Sequence, residues 1–273
     1  MKIKFILAII FAFFSVAVSA ANNKGDSRLS ELLDSVDNTH HSSEEADNNI
    51  RLDVIGQSAY SWGLQEGLYH TYQDIVELAE SNSLSLFNVF NYSRYMINGK
   101  VLLPSLRKTE QIQQSISDTE TRTIEVSYTL DRPAKLVLTV PTWRSVLIRN
   151  IDLPAKPHSA LFPRNSQERS LWKEKLREGW AKGAEQAYEI FDADLQKARA
   201  DFEGMQRFKI LAESNVVTMP RLSEVNYPVV SVNNGKTLYL NDRVHKISVT
   251  TEFTEAKYWK PILVKGRGGL DNQ

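Results

Sequence analysis

Residues 166–213 are dense in charge, yet apolar side chains recur there at three- and four-residue steps: Trp180, Ala184, Phe191, Leu195, Ala198, Phe202, Met205 and Phe208. That spacing predicts one long helix with a single buried stripe. Asn165 or Ser166 supplies its N-cap, and Glu168 and Glu174 lie near its start, where the helix dipole favours negative charge. Pro220 closes the region. On the opposite face Lys197–Asp201, Arg199–Glu203 and Glu203–Arg207 are spaced as solvated i,i+4 ion pairs, each contributing only about 0.2–0.5 kcal/mol.

Two glycines interrupt this helix. Gly179 and Gly183, with Ala187 at the next step, lie four apart and share one face. An interior glycine costs about 1 kcal/mol relative to alanine, so something must offset the pair. A face without side chains lets another backbone come close. Glu178, Lys182 and Glu185 interleave, so this helix meets water, and the expected close partner is another helix of the same fold. Residues 51–80 carry the same ladder in Ala59, Gly63, Gly67 and Thr71. Tyr72 follows Gly67 by five, as Tyr188 follows Gly183. The two helices are expected to cross at their small faces, at or below the usual ~8–10 Å interaxial distance. The competing reading places the glycines at a seam between two subunits.

The rest of the chain alternates helix and strand signals. A short helix is expected over 83–95, followed by a turn at Asn98-Gly99 and a strand-like run at Val101 to Leu103 stopped by Pro104. Ile124, Val126, Tyr128 and Leu130 alternate with polar residues, as in a half-buried strand. Residues 134–140 form an expected second strand after the turn at 131–133. A short helix over 142–148 and a proline-marked linker, with Pro154, Pro157 and Pro163, lead to the long helix. After Pro220, Asn234-Gly235 and Asn241-Asp242 divide the end of the chain into an expected three-stranded meander. The fold class that follows is α+β: long helices packed with antiparallel hairpins, in a single domain over residues 51–273.

The first 20 residues are different in kind. Lys2 and Lys4 precede an apolar run from Phe5 to Val18, and small residues at Val18, Ser19 and Ala20 follow. This is the pattern of a secretory signal cleaved after Ala20 or Ala21; the run of about 14 residues is short of the ~20 needed to span a bilayer. Residues 21–50 read as a flexible acidic tether. Within it Leu29, Leu32, Leu33 and Val36 have helical spacing. They are read either as a transient helical turn or as a short helix that docks in a partner's groove.

Composition narrows the chemistry. The chain of 273 residues contains no cysteine, which excludes disulfides, thiol nucleophiles, Cys-based zinc sites and attachment of a lipid to cysteine. Lys plus Arg and Asp plus Glu each number 33. No basic excess is present, and no direct nucleic-acid binding is expected. His40, His41, His70, His158 and His245 form no metal-ligand motif, although Glu66 and His70 are i,i+4 and suit a salt bridge or a site. There is no nucleophile elbow and no phosphate-binding loop. No catalytic, cofactor-binding or metal residues are assigned.

Several landmarks together carry a resemblance. In order they are the signal, the tether, the helix "IGQSAYSWGLQEGL", "NGKVLLPSL", the stretch "LVLTVPTWRSVL" with Pro141, Thr142 and Trp143, the long helix from Gly179 to Met205, and a final "YWKP". Over about 51–261 the chain resembles the DotC/TraI family of type IVB secretion and IncI-type conjugation systems. The resemblance implies a non-enzymatic structural scaffold in the periplasm against the outer membrane, assembled with DotD-like and DotH-like partners into a ring-forming hetero-oligomer. Dot/Icm members are lipoproteins; this chain has no cysteine to lipidate. It therefore fits the conjugative, plasmid-transfer branch and would reach the outer membrane through its partners. The alternative from another class is a periplasmic cell-wall hydrolase or accessory factor of the same machine.

Overall fold

The computed structural model describes residues 27–35, 48–117, 119–234 and 236–260. The expected signal with Ala20 and Ala21, most of the expected tether, and Val36 lie outside the described residues. The architecture is α+β, as expected, and the chain divides into two compact units. The first comprises Met1–Phe90 and Trp143–Gln196; the second comprises Asn91–Thr142 and Lys197–Gln273.

The first unit is helical. Helix α1 covers residues 27–35, α2 Asn48–Ser81, α3 Ser83–Val89 and α4 Trp143–Leu147; the long helix α5, Ser166–Glu213, begins here. Ile55, Ala59 and Trp62 of α2 and Trp172, Leu176 and Trp180 of α5 form a buried cluster with Leu32 and Leu33 of α1. Phe162 stacks on Trp172 at 5.3 Å and meets Trp62 edge-on at 6.2 Å. Farther along α2, Tyr72, Ile75 and Ala79 are buried, as are Trp143 and Leu147.

The second unit carries the sheets. Strands β1 (Met96–Ile97), β2 (Val101–Leu102) and β5 (Lys135–Leu136) make a small antiparallel sheet in the order β1-β2-β5. Two long hairpins stand apart from it: β3 (Ser105–Ser117) with β4 (Glu120–Arg132), and β6 (Arg221–Val232) with β7 (Thr237–Val249). Ala198, Phe202, Met205 and Phe208 of α5 are buried here with Val101, Leu102 and Leu106. Phe202 receives Tyr92 and Tyr95 edge-on at 5.7 and 5.0 Å. Burial and the nearby Asp201 carboxylate, opposed by Arg132, push the Tyr92 phenol up to about 12, so it stays neutral. A Cβ on Gly204 would fall on Ser105 Oγ and 3.0 Å from the Leu106 amide; glycine lets strand β3 start against the helix.

Three expectations are corrected. The partner of β4 is β3, in one register from Leu106↔Leu130 to Ser115↔Thr121, not residues 134–140, of which only Lys135–Leu136 is strand. Strand β3 reads "SLRKTEQIQQSIS", too polar for a burial pattern to mark it, because most of it is exposed. The expected three-stranded meander is a two-stranded hairpin. Strand β7 runs straight through Asn241-Asp242, with Tyr227↔Asp242 and Val229↔Leu240 in one register. Asn241 takes a left-handed φ of 56° across from Pro228, whose missing N–H already interrupts the ladder. Finally, the expected helix over 83–95 ends at Val89 and resumes as a 3-10 turn, Tyr92–Tyr95.

Candidate functional site

The small faces of α2 and α5 meet. A Cβ on Gly183 would lie 2.6 Å from the Leu68 amide nitrogen and nearer still to the Leu64 carbonyl oxygen. A Cβ on Gly179 would lie 2.9 Å from the Leu64 nitrogen and closer to the Tyr60 oxygen. In return, Gly63 faces the Leu176 carbonyl and Gly67 the Trp180 carbonyl. These partners ascend together, so the helices run parallel. Each glycine opposes the residue three before a glycine on the other helix. A glycine hydrogen takes the direction a Cβ would have, so it points at the facing carbonyl as a Cα–H···O contact. Ala59 and Ala187 are both fully buried.

Polar groups lock the pair. Glu66 is buried one residue before Gly67. It accepts a hydrogen bond from Trp62 Nε1–H at 3.1 Å, and its other oxygen lies 3.2 Å from His70 Nε2. The His70 ring stacks on Trp180 at 5.8 Å. The Glu66–His70 spacing singled out in the sequence thus belongs to the helix interface. At the helix starts, Arg51 Nε donates to Glu168 Oε1 at 2.9 Å. Glu168 also accepts the Arg164 N–H at 2.7 Å, while its own N–H donates to Asn165 Oδ1 at 2.8 Å. This is a variant of the capping box, with Asn165 as the cap and Glu168 reaching back to the N–H of the residue before it.

Burial works to raise the Glu168 pKa, and it is outweighed by the hydrogen bonds from Arg51 and Arg164 and by their positive charge, so the carboxyl is held below its usual range. A depressed carboxylate contributes stability above its unfolded pKa of about 4.3 and loses it as pH falls through the lower folded value. Glu168→Gln is expected to reduce stability at pH 7 by about 1–3 kcal/mol. The gap to the parent should close below about pH 4, as read by urea unfolding across pH.

The stretch around Pro141-Thr142-Trp143 is anchored at its helical end. Trp143 is fully buried. The Arg144 guanidinium lies over the Trp143 ring at 4.4 Å and donates to Glu80 at 2.6 Å. Arg149 forks onto Asp194 of α5 at 2.5 and 2.6 Å, and its backbone N–H donates to Tyr72 Oη at 2.9 Å. Tyr72, five residues after Gly67, therefore fixes the return of the chain.

Helix α1 corrects the reading of the tether. Leu32 and Leu33 are buried in the cluster of α2 and α5, and Leu29 packs against it. The described part of the stripe, Leu29, Leu32 and Leu33, packs on α2 and α5 of its own chain.

The solvated face expected on α5 is also partly used. Arg199 and Glu203 pair at 3.0 Å, but Asp201 lies 3.7 Å from Arg132 of β4. Arg207 donates to the Leu106 carbonyl at 2.5 Å. Lys100, Glu224 and His245 form a network that sequence reasoning missed, with Lys100 Nζ 2.9 Å from His245 Nε2 and Glu224 3.3 Å from His245 Nδ1. Lys100 lies more than 100 positions from the other two, which face each other across the β6–β7 hairpin, and nothing in their local sequence marks them.

A shallow groove on the first unit is lined by Leu52, Asp53, Gly56, Gln57, Tyr60, Leu171 and Lys175; it holds no paired nucleophile and base. Among the described residues no group of three or more His, Asp or Glu side chains could hold a metal ion. No described helix is long and apolar enough to cross a membrane. The conspicuous exposed features are the two hairpins. Val225, Tyr227, Val229, Leu238, Leu240 and Val244 of β6 and β7 are each about half exposed or more.

A family model described as type IV secretory system, conjugal DNA-protein transfer, matches residues 49–261, well over half of the chain. No curated protein matches it.

Proposed function

The chain belongs to the TraI family of type IV secretory systems for conjugal DNA-protein transfer, and we propose that it is a non-enzymatic structural subunit of the outer-membrane core complex of such a machine. In this reading it works in the periplasm, exported by its N-terminal signal and unlipidated. It reaches the outer membrane through DotD-like and DotH-like partners. The family match is the observation that carries the proposal. The shape of the surface supports it. A two-stranded hairpin is marginal in water without further cover, and this chain displays two, one with apolar side chains turned outward.

Detergent extraction of the assembled complex is expected to bring down this chain together with DotD-like and DotH-like subunits. Recovery of the assembled complex at full size from cells lacking the chain would overturn the structural role. A zymogram on cell-wall material is expected to show no clearing by the purified protein; a lytic band would favour the hydrolase alternative.

A further inference from the structure

We infer that the outer edge of β4 pairs antiparallel with the β4 edge of a second copy of this chain. Among the described residues, β4 hydrogen-bonds only with β3, and no third strand joins them. An open edge strand presents a row of unpaired N–H and C=O groups, and proteins usually blunt such edges with proline, bulges or kinks. The other long strands are interrupted in this way: β3 has Gln111 at φ 53°, β7 has Asn241 at φ 56°, and β6 contains Pro228. Strand β4 has no proline and no residue with positive φ over its 13 residues, and its own bulge, an extra residue at Asp131 between Leu130 and Arg132, lies at its far end.

Its sequence, "ETRTIEVSYTLDR", is self-complementary when reversed. Centred on Val126, an antiparallel pair over the regular stretch of the strand sets Thr123 opposite Thr129 and Ile124 opposite Tyr128, with Val126 on Val126. Threonine pairs and aromatic–β-branched pairs are among the stabilising cross-strand combinations. A slip of one residue would put the apolar side chains of the two copies on opposite faces. A slip of two places Glu125 on Glu125, a like-charge contact, in one direction, and in the other breaks the threonine pairs and sets Thr129 against Glu125. The Glu125 repulsion and the threonine pairs together favour a single register. In it the face made by Ile112, Ile124, Val126 and Tyr128 continues across the seam into a four-stranded sheet. Val126 is 43% exposed in the single chain and lies on the twofold axis of the pair. Such a contact is isologous and closes as a dimer; it stands apart from the assembly role proposed above.

The full chain is expected to sediment as a dimer. Val126→Lys, which sets two lysines face to face, should raise the dimer dissociation constant at least about tenfold, with the melting profile of the monomer retained. Because the chain has no cysteine, single thiols report the register directly. Under oxidation Val126→Cys should cross-link into a covalent dimer, while Glu125→Cys and Val225→Cys should not. This readout decides the matter even if Val126→Lys fails to fold. A monomer at every concentration without a Val126→Cys cross-link overturns the inference. So does a dimer unaffected by Val126→Lys, preferential cross-linking at Glu125→Cys, or a β4 edge protected from hydrogen exchange only by a different protein.

Discussion

Gly183→Leu is expected to yield no stably folded first unit, and Gly183→Ala to lose about 2–4 kcal/mol in urea or thermal unfolding. The reason is the neighbour rather than the helix propensity, because alanine at an interior helical site would otherwise stabilise by up to about 1 kcal/mol. A Cβ at this position would meet backbone atoms of Leu64 and Leu68. Backbone in the middle of a 34-residue helix cannot swing aside as a side-chain tip can. The helices must separate, and with them Trp62, Trp172 and Trp180 lose close packing. Gly56→Ala is the internal control. It lies on α2, the helix that Gly183 faces, but its Cβ would meet only side-chain atoms, the nearest being Leu171 Cδ2 and Lys175 Cγ at 3.7 Å, an ordinary contact. There the propensity term is unopposed, and a gain of about 0.5–1 kcal/mol is expected. Opposite signs at two glycines of one helix pair separate a close crossing from a general dislike of substitution. Equal small effects at both would sink the crossing as the source of stability.

The crossing was legible because a glycine four residues from another, inside a strongly periodic helix, has few explanations. Tyr72 and Tyr188, at the same offset, gave the pairing of the two helices. Other features could not be read for the same physical reason that they exist. Strand β3 has no burial period because neither of its faces is covered, and periodicity reports burial. Asn241-Asp242 has the composition of a turn, yet its turn-like conformation is spent on a local irregularity opposite Pro228. Glu168 was read as a dipole partner, which it is, but its bond to Arg51 joins positions 117 apart and has no local signature. The charges at 201 and 207 fit helical i,i+4 spacing, and the strand register that recruits them to β3 and β4 depends on a hairpin the sequence did not display. Patterns set by one element were therefore visible, and contacts chosen by two distant ones were not.

Leu32→Ala combined with Leu33→Ala is expected to release α1 and expose the cluster beneath it. A helix of this length does not form alone in water, so its order depends on its docking. Leu32 is 5% exposed and Leu33 9%, and burying a leucine stabilises by about 1.5–3 kcal/mol. Removing most of both side chains takes away the main reason for α1 to dock. The loss should appear as a red shift of tryptophan fluorescence from Trp62 and Trp172, as binding of an apolar dye, and as a lower melting temperature of the first unit. Helix α5 itself should persist, because the Gly63–Gly67 and Gly179–Gly183 crossing does not involve α1. The same pair of substitutions tests whether this segment holds a partner. If α1 serves only its own core, recovery of DotD-like and DotH-like subunits should fall in proportion to the folded protein and no further. An unchanged melting temperature together with loss of those partners would instead give the Leu29, Leu32 and Leu33 stripe to another subunit, with the intramolecular groove as its resting place.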